Sequence, residues 1–463
     1  MINALRDEQT ICAVSTPHGV GGVSIVRVSG PKALISVRAL SAFLPKAPKS
    51  HHAYLGYLKD PKNDQIIDQV LVTYFAEKKS YTGEEVLEIS CHGSPYICQK
   101  ILQCLVDQGC RIADKGEFTY RSFINDKIDL IQAESVLSLI QSQNAYSAKL
   151  ALQQLDGHLS DKIKAILDSL TWVLASIEAN IDFSTEGFDP VALDSILRKI
   201  SSTKDVLEAL VSSYSYGRIL KDGIRVVLAG RPNVGKSSWL NIFAEQDKAI
   251  VTPIAGTTRD IIEAEVFYKN LKISFFDTAG LRADSGDLVE SLGIKKSYEY
   301  IQKADAVIYI FDVTTDPGQE ELGFLSKLNA QKLVILVNKC ELNTPIVKKN
   351  EFLNICKNFT NCVLFTDIHD SVSRELVLAQ VHGLFNTEDL ENTAVISQAR
   401  HYECLQEALS LVNKSIEALQ ADMAVEFVSV DLKMALMQIQ QVLGLHFDDQ
   451  IMDRVFKEFC IGK

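Results

Sequence analysis

What this 463-residue chain lacks narrows its class first. Its 10 cysteines are sparse and no two form a C-x-x-C pair, which argues against a disulfide scaffold and a thiolate zinc knuckle. The 9 histidines are dispersed, without an H-E-x-x-H pair to hold zinc on one helical face. No apolar run approaches the ~18 residues of a membrane helix. The longest runs, such as Ala306–Phe311, have the length of buried strands. Arg6, Asp7 and Glu8 place charge too early for a secretory signal, so reduced thiols and a soluble, cytoplasmic protein without a membrane role are expected. Positive charge is short as well. With 47 Lys and Arg against 59 Asp and Glu, the net charge is −12, so grip on a nucleic acid needs a local patch or a basic partner.

What is present is an ordinary globular composition, 47% hydrophobic and 23% charged, which excludes disordered and fibrous classes. At about 150 residues per domain the length predicts about three domains. Residues 1–125 mix β-rich runs (24–28, 69–75, 86–90) with helical stretches near 31–43 and 94–108, an α+β domain. From 126 to 216 the period is helical. Leu155, Leu159, Ile163, Ile166, Leu170, Val173, Ile177 and Ile181 form the stripe of one long amphipathic helix, with Gly157 a weak point. Between 217 and 383, strand-like runs at 224–228, 273–276, 306–311 and 333–337 alternate with helical spacers, the pattern of an α/β parallel sheet. Helical spacing returns over 384–463. The economical architecture is an α/β domain inserted into a helical bundle whose halves flank it.

Gly230-Arg-Pro-Asn-Val-Gly-Lys-Ser237 matches the phosphate-loop pattern and stands where it must, after a strand and before the helix that opens at Ser238. Its glycines let successive N–H groups face phosphate. Lys236 is placed to reach the β- and γ-phosphates and Ser237 to supply an oxygen to Mg²⁺. Three further elements follow in the order of a GTPase. Thr258, in Gly256-Thr-Thr-Arg-Asp260, is a second candidate Mg²⁺ ligand. Asp277-Thr278-Ala279-Gly280 ends a strand, with Asp277 toward the metal's water and the Gly280 N–H toward the γ-phosphate. Asn338-Lys339-Cys340-Glu341 follows the run 333–337, where base-reading residues belong. The nucleotide set is thus Asn233, Val234, Gly235, Lys236, Ser237, Ser238, Thr252, Thr257, Thr258, Asp277, Thr278, Ala279, Gly280, Asn338, Lys339 and Glu341.

Glu341 stands where the usual pattern has Asp. Its carboxylate still accepts from guanine N1–H and the exocyclic amine, favouring GTP over ATP, but the extra methylene shifts the geometry. A lost charge-assisted bond there costs about 1.5–3 kcal/mol. No S-A-K element closes over the base, and 364–367 is only a positional candidate. Leu281 occupies the position of the water-orienting glutamine in Ras-like enzymes, so another group must do that work. Asn233 either offers its carbonyl to a monovalent cation beside the β/γ bridge or only shapes the loop. Spacing does not choose between these.

End to end, the chain resembles the MnmE (TrmE) family of tRNA-modifying GTPases. Thr16 to Gly30, Tyr81-Thr-Gly-Glu-Glu-Val-Leu-Glu-Ile89, Gly116-Glu-Phe-Thr119 with Phe123-Ile-Asn-Asp-Lys127, Glu178 to Phe183, and the terminal Cys460-Ile-Gly-Lys463 carry the likeness. The resemblance implies an N-terminal domain that dimerises and binds a one-carbon tetrahydrofolate (5-formyl or methylene form), lined by Arg27, Glu88, Lys127 and Lys463. It implies Cys460 as a catalytic candidate, since a thiolate adds to a pyrimidine C6 and activates C5, with Lys463 favouring the thiolate. It turns Asn233 toward K⁺ with Thr252, Ile254 and Thr257, and gives Glu290 the water-orienting role beside catalytic Lys236. Paired G domains then close to complete the site.

The implied function is K⁺-dependent GTP hydrolysis coupled to adding a carboxymethylaminomethyl or aminomethyl group to C5 of the wobble uridine of certain tRNAs. The implied partners are a second copy, the FAD-dependent protein MnmG in a heterotetramer or larger assembly, and tRNA. Glu341, Lys115 before Gly116-Glu117, and Ser94 after Cys91-His-Gly93 depart from the family pattern. A ribosome-assembly GTPase of the Era or EngA kind shares the phosphate loop and Gly-Thr-Thr-Arg-Asp but lacks the N-terminal domain and the Cys-Ile-Gly-Lys end. A structural dimer with a degenerate nucleotide site draws support only from Glu341.

Overall fold

The computed structural model describes residues 9–182, 192–244, 264–277, 301–329, 332–340, 345–385, 394–421, 425–446 and 449–463. They fall into two compact units. One draws on the chain up to Ile140, on 151–211 and on 400–463, and the other on 141–150 and 212–399.

The first unit opens with β1 (Ile11–Val14), β2 (Gly21–Ser29), α1 (Ala33–Leu40), β3 (His52–Lys59), β4 (Ile66–Phe75), β5 (Val86–Gly93), α2 (Pro95–Asp107) and β6 (Arg111–Ile112). The strands form one sheet in the order β3-β4-β5-β2-β1-β6, antiparallel except for the β1–β6 pair. Alternation sorts its side chains. Val26, Val28, Val70, Val72, Leu87, Ile89 and Cys91 pack against Val37, Leu40, Ile101 and Leu105 of the two helices. The intervening residues of β2 and β5, Ile25 and Arg27 with Glu88, Ser90 and His92, belong to the opposite face. Strands β1 and β3 escaped the sequence reading: β1 has four residues, and β3 alternates on one side only, through Tyr54 and Leu58.

Helices α3 (Glu117–Ile124), α4 (Leu130–Ile140), α5 (Ala145–Leu155), α6 (His158–Asp182) and α7 (Leu193–Ser212) follow. The stripe expected to be one helix is broken. α5 ends at Leu155, Gly157 takes φ +92, a left-handed turn that suits glycine, and α6 restarts at His158. The remainder of the stripe is buried as expected, from Leu159 through Ile177.

The second unit contains α8 (Tyr214–Asp222), β7 (Ile224–Ala229), α9 (Lys236–Ala244), β8 (Ala264–Tyr268), β9 (Leu271–Asp277), β10 (Ala306–Asp312), α10 (Gln319–Leu325), β11 (Leu333–Asn338), α11 (Ile346–Cys356), β12 (Val363–Phe365) and α12 (Ser371–Gly383). The sheet order is β12-β11-β10-β7-β9-β8, parallel apart from β8, the topology of a Ras-like G domain. Successive residues of β7, β10 and β11 face opposite cores, Ile308 and Leu336 on one side, Tyr309 and Val337 on the other. That double burial explains their unbroken apolar runs.

The chain then returns to the first unit as α13 (Ala399–Gln420), α14 (Val425–Leu443) and α15 (Asp449–Lys457). α14 packs along α6 and α4. A buried charge knot fastens the return: Arg400 donates to Glu134 from Nε at 2.8 Å and from its second terminal nitrogen at 3.0 Å, and to the carbonyls of Gln441 and Val442. His401 Nε2 lies 2.6 Å from the same carboxylate. Among the described residues no helix is long and apolar enough to cross a membrane.

Candidate functional site

The phosphate loop sits between the end of β7 and the start of α9. Asn233 adopts φ +65, tolerated by asparagine better than by most residues, and its side chain is exposed. Gly235 leaves room for a neighbour, because a Cβ there would lie 2.4 Å from Asn338 Nδ2. Asn338, 1% exposed at the end of β11, uses that nitrogen to donate to the Val234 carbonyl at 2.9 Å. Residues more than a hundred positions apart are thereby locked, and the base-reading loop is registered to the phosphate loop. Lys236, 7% exposed, donates from Nζ to the carbonyls of Gly230 at 2.9 Å and Arg231 at 2.7 Å, so its charge is held at the mouth of the loop. Ser237 Oγ lies 3.2 Å from Asp277 Oδ2, putting two oxygens together at the helix start.

Two contacts around this loop had no sequence signal. Arg231 pairs with Glu321 at 2.7 Å, and Glu321 also accepts from Tyr309 and from the Gly318 N–H. Lys339 pairs with Asp312 at the end of β10. Burial pushes the Asp312 carboxyl up, but bonds from Lys339 and Thr314 bring it below its usual range.

A second constellation lies on the face of the N-terminal sheet opposite α1 and α2. Arg27 and Glu88 are register partners across β2 and β5, and Arg27 Nε donates to Glu88 at 2.9 Å. The guanidinium carbon is 5.7 Å from the Tyr81 ring centroid and 5.5 Å from that of Phe118. It also donates to the Gly462 carbonyl at 3.5 Å, which draws the chain's last residues to the sheet. Gly462 is pressed onto β1, where an added Cβ would meet the Val14 carbonyl oxygen at 2.2 Å. Ile461 bridges Lys115, and the Gly116 N–H donates to the Cys460 carbonyl at 3.4 Å, leaving Cys460 exposed. Burial, then the charge of Arg27, lowers the Lys463 amine from its ordinary value. Lys127 is not part of this group. It donates to the Lys78 carbonyl at 3.0 Å and lines a separate cavity of about 930 Å³ with Glu84, Glu85 and Asp126.

Comparison with known proteins shows the family of the chain that carries these two constellations. The family description "MnmE helical domain" matches residues 130–460, and "GTP-binding protein TrmE N-terminus" matches 10–127. A tRNA modification GTPase MnmE from Bdellovibrio bacteriovorus is 49% identical, covering 100% of this chain and 99% of its own length. Another of that name, from Carboxydothermus hydrogenoformans, is 38% identical over 98% of this chain and 100% of its own. The chain belongs to the MnmE family. Among solved structures, the T. maritima FeoB G domain aligns with 35% of the chain and 99% of its own at 20% identity, with a TM-score of 0.25, too low to add to the topology given above.

Of the residues singled out for an MnmE-type nucleotide site, Asn233, Val234, Gly235, Lys236, Ser237, Ser238, Asp277, Asn338 and Lys339 are described. Thr252, Ile254, Thr257, Thr258, Thr278, Ala279, Gly280, Glu290 and Glu341 lie outside the described residues. Of the residues expected to line a folate site, Arg27 and Glu88 are in contact and Arg27 reaches the terminal segment that carries Lys463. The aromatic pair Tyr81 and Phe118 was missed as a partner of Arg27, although each stands inside a motif already noted for other residues.

Proposed function

We propose that this chain is the GTP-hydrolysing component of a complex with the FAD-dependent protein MnmG. That complex adds a carboxymethylaminomethyl or aminomethyl group to C5 of the wobble uridine of certain tRNAs. Family membership supports the GTPase and tRNA-modifying activity. The observation that carries the local reading is the convergence of Lys236 and Ser237 at the start of α9 with Asp277 and Asn338 at the ends of β9 and β11.

When GTP binds, Lys236 exchanges its two loop carbonyls for phosphate oxygens, keeping its charge where negative charge develops. Ser237 and Asp277, with oxygens 3.2 Å apart, fit a small hard cation, and Mg²⁺ there neutralises phosphate charge and orients the reacting groups. Asn338 holds the loop in register with the base site. For K⁺, the exposed, left-handed Asn233 is the only proposed ligand among the described residues, and Thr252, Ile254 and Thr257 complete the reading. Glu290 orients water, and Glu341 reads guanine. Paired G domains of a homodimer close over this site, and their cycle is coupled to tRNA chemistry in the cytoplasm.

In the N-terminal unit, Arg27 and Glu88 present a donor and an acceptor side by side, suited to the amide edge of a pterin, and Lys463 is half-buried beside them. A one-carbon tetrahydrofolate supplies the transferred carbon when bound. Lys127 then contributes from its own cavity rather than from the Arg27 cluster. Cys460, exposed on the segment that Arg27 anchors, is the residue we assign to meet the nucleobase.

The deciding experiment is nucleoside analysis of tRNA from a strain lacking this chain. Loss of the wobble modification, restored by the chain, is expected; an unchanged wobble uridine overturns the reading. A second assay compares GTP hydrolysis in K⁺ and Na⁺ with ATP as control. Stimulation by K⁺ for GTP alone is expected, and equal slow turnover in both salts overturns the cation role.

A further inference from the structure

The pair formed by Lys339 and Asp312 plays no part in the reading above. Asp312 ends β10, Asn338 ends β11, and the two are register partners in the parallel ladder. Past that last rung the two segments stay joined, because the Val313 N–H donates to the Asn338 carbonyl at 3.1 Å. Lys339 then turns into the left-handed region, at φ +63. A lysine persists there only where its surroundings hold it.

Those surroundings are specific. Lys339 Nζ donates to Asp312 Oδ2 at 2.5 Å, and the next N–H, that of Cys340, donates to the Thr366 carbonyl at 3.2 Å. The other Asp312 oxygen accepts from the Thr314 N–H at 2.8 Å and from the Thr314 hydroxyl at 2.6 Å. One edge of the carboxylate is thus fixed by its own turn, and the other is given to a single ammonium. The Asp312 side chain is 12% exposed and that of Lys339 33%. Among the described residues neither group joins another ion pair. A pair solvated on both sides orients little, whereas a mostly buried carboxylate with a fixed edge sets where the lysine ends.

The direction of that side chain gives the pair its meaning. In the sheet order β12-β11-β10-β7, the phosphate loop follows β7, beyond β10 as seen from β11. Running from the end of β11 to the end of β10, the Lys339 stem therefore points toward the phosphate loop. It crosses the carboxyl ends of parallel strands, where open α/β sheets hold their ligands. Asn338 marks the same edge. Its Nδ2 is bonded to the Val234 carbonyl, and its buried Oδ1 has no hydrogen-bond partner among the described residues.

We propose that Asp312 is a positioning residue for nucleotide binding, pinning the Lys339 ammonium so that its stem forms a ready-made wall for the purine ring. A loose lysine stem samples many rotamers and has to be ordered when a ring comes to lie on it. One already held binds about three- to tenfold better. With its charge balanced by Asp312, Lys339 serves the base through its methylenes, and the phosphates are left to Lys236. This rests on the reading of Asn338 and Lys339 as base-site residues and adds Asp312 to it.

The test measures binding of GDP and of pyrophosphate to the full chain by calorimetry, together with steady-state GTP hydrolysis. Lys339→Ala comes first. If it binds GDP as wild type does, the base-site reading fails and this proposal with it. Given a loss there, Asp312→Asn is expected to weaken GDP binding about three- to tenfold, with pyrophosphate binding unmoved. The KM for GTP should rise by the same factor, with little change in kcat. Added to Lys339→Ala, Asp312→Asn is expected to change nothing further. Thr314→Val, which strips the hydroxyl from the other carboxylate oxygen, is expected to bind GDP like wild type; a loss as large as that of Asp312→Asn would assign the effect to the turn and overturn the proposal. Lys339→Met keeps the stem but not the ammonium, is expected to match Asp312→Asn, and decides the matter should Asp312→Asn not fold. Wild-type GDP affinity in Asp312→Asn or Lys339→Met, or an undiminished effect of Asp312→Asn on the Lys339→Ala background, also overturns it.

Discussion

The two constellations are built in opposite ways. The nucleotide site is mostly a property of eight consecutive residues: their turn aims N–H groups and Lys236 at one point, and distant residues such as Asn338 only lock it. The N-terminal site has no such segment. Arg27, Tyr81, Glu88, Phe118 and Gly462 meet only because β2, β5, α3 and the chain's end are folded together, and the Arg27–Gly462 contact spans 435 positions. A site made by local backbone tolerates changes elsewhere. A site made by assembly depends on every cross-link that holds its parts.

The largest test strikes such a cross-link. Glu134→Gln leaves Arg400 buried beside a neutral partner, and removing one member of a buried pair costs about 3–5 kcal/mol. Urea unfolding should show that loss in the N-terminal and helical unit, with the G domain transition unmoved. Its pH dependence has a definite sign. Burial alone would raise the Glu134 carboxyl, but Arg400 and His401 hold it far below its usual value of 4.5. A carboxyl whose pKa is lowered on folding stabilises fully above its unfolded value, and that contribution fades as pH falls toward the folded one. The wild-type advantage over Glu134→Gln should therefore be complete at pH 7 and shrink below about pH 4.5.

Next in size, Lys236→Ala should lower GTP hydrolysis at least ~100-fold, about 2.7 kcal/mol in the barrier, without changing the folate binding proposed for the N-terminal unit. Parallel loss of both would mean that the two sites are not independent. Gly462→Ala is the reciprocal probe. The added methyl meets the Val14 carbonyl at a distance no side chain tolerates, so the terminal segment must shift, at roughly 1–3 kcal/mol. Affinity for the proposed folate should fall about tenfold or more, while GTP hydrolysis by the isolated chain stays unchanged. The smallest effect is expected from Asp370→Ala, which removes the cap that accepts from the Val372 N–H at the start of α12. About 1 kcal/mol of G domain stability should go, measured by thermal melting, with neither site altered.

The same contrast governs what could be read without a structure. The phosphate loop was legible because its pattern is contiguous and stands between a strand and a helix. Strands β7, β9, β10 and β11 were legible because burial on both faces leaves unbroken apolar runs. Strands β8 and β12 were not, being short and at the sheet's two edges, where one side is solvated. The stripe from Leu155 to Ile181 revealed the packed face of α6 but not the break, since periodicity continues across a single glycine turn. Arg231 with Glu321, and Lys339 with Asp312, gave no signal at all, because pairing between residues so far apart leaves no mark on the neighbours of either.

The amino-acid sequence by itself determined the Ras-like fold of the inserted unit, the turn between β7 and α9, and the family, all of which rest on local pattern. Only the tertiary structure decided that Arg27 is clasped between two aromatic rings and the chain's last residues, and that Lys127 stands apart from it. The physical reason is the range of the forces. Backbone hydrogen bonds and hydrophobic periodicity act over a few residues and so are written along the chain, whereas ion pairs and close packing act across space and exist only once distant segments have been brought together.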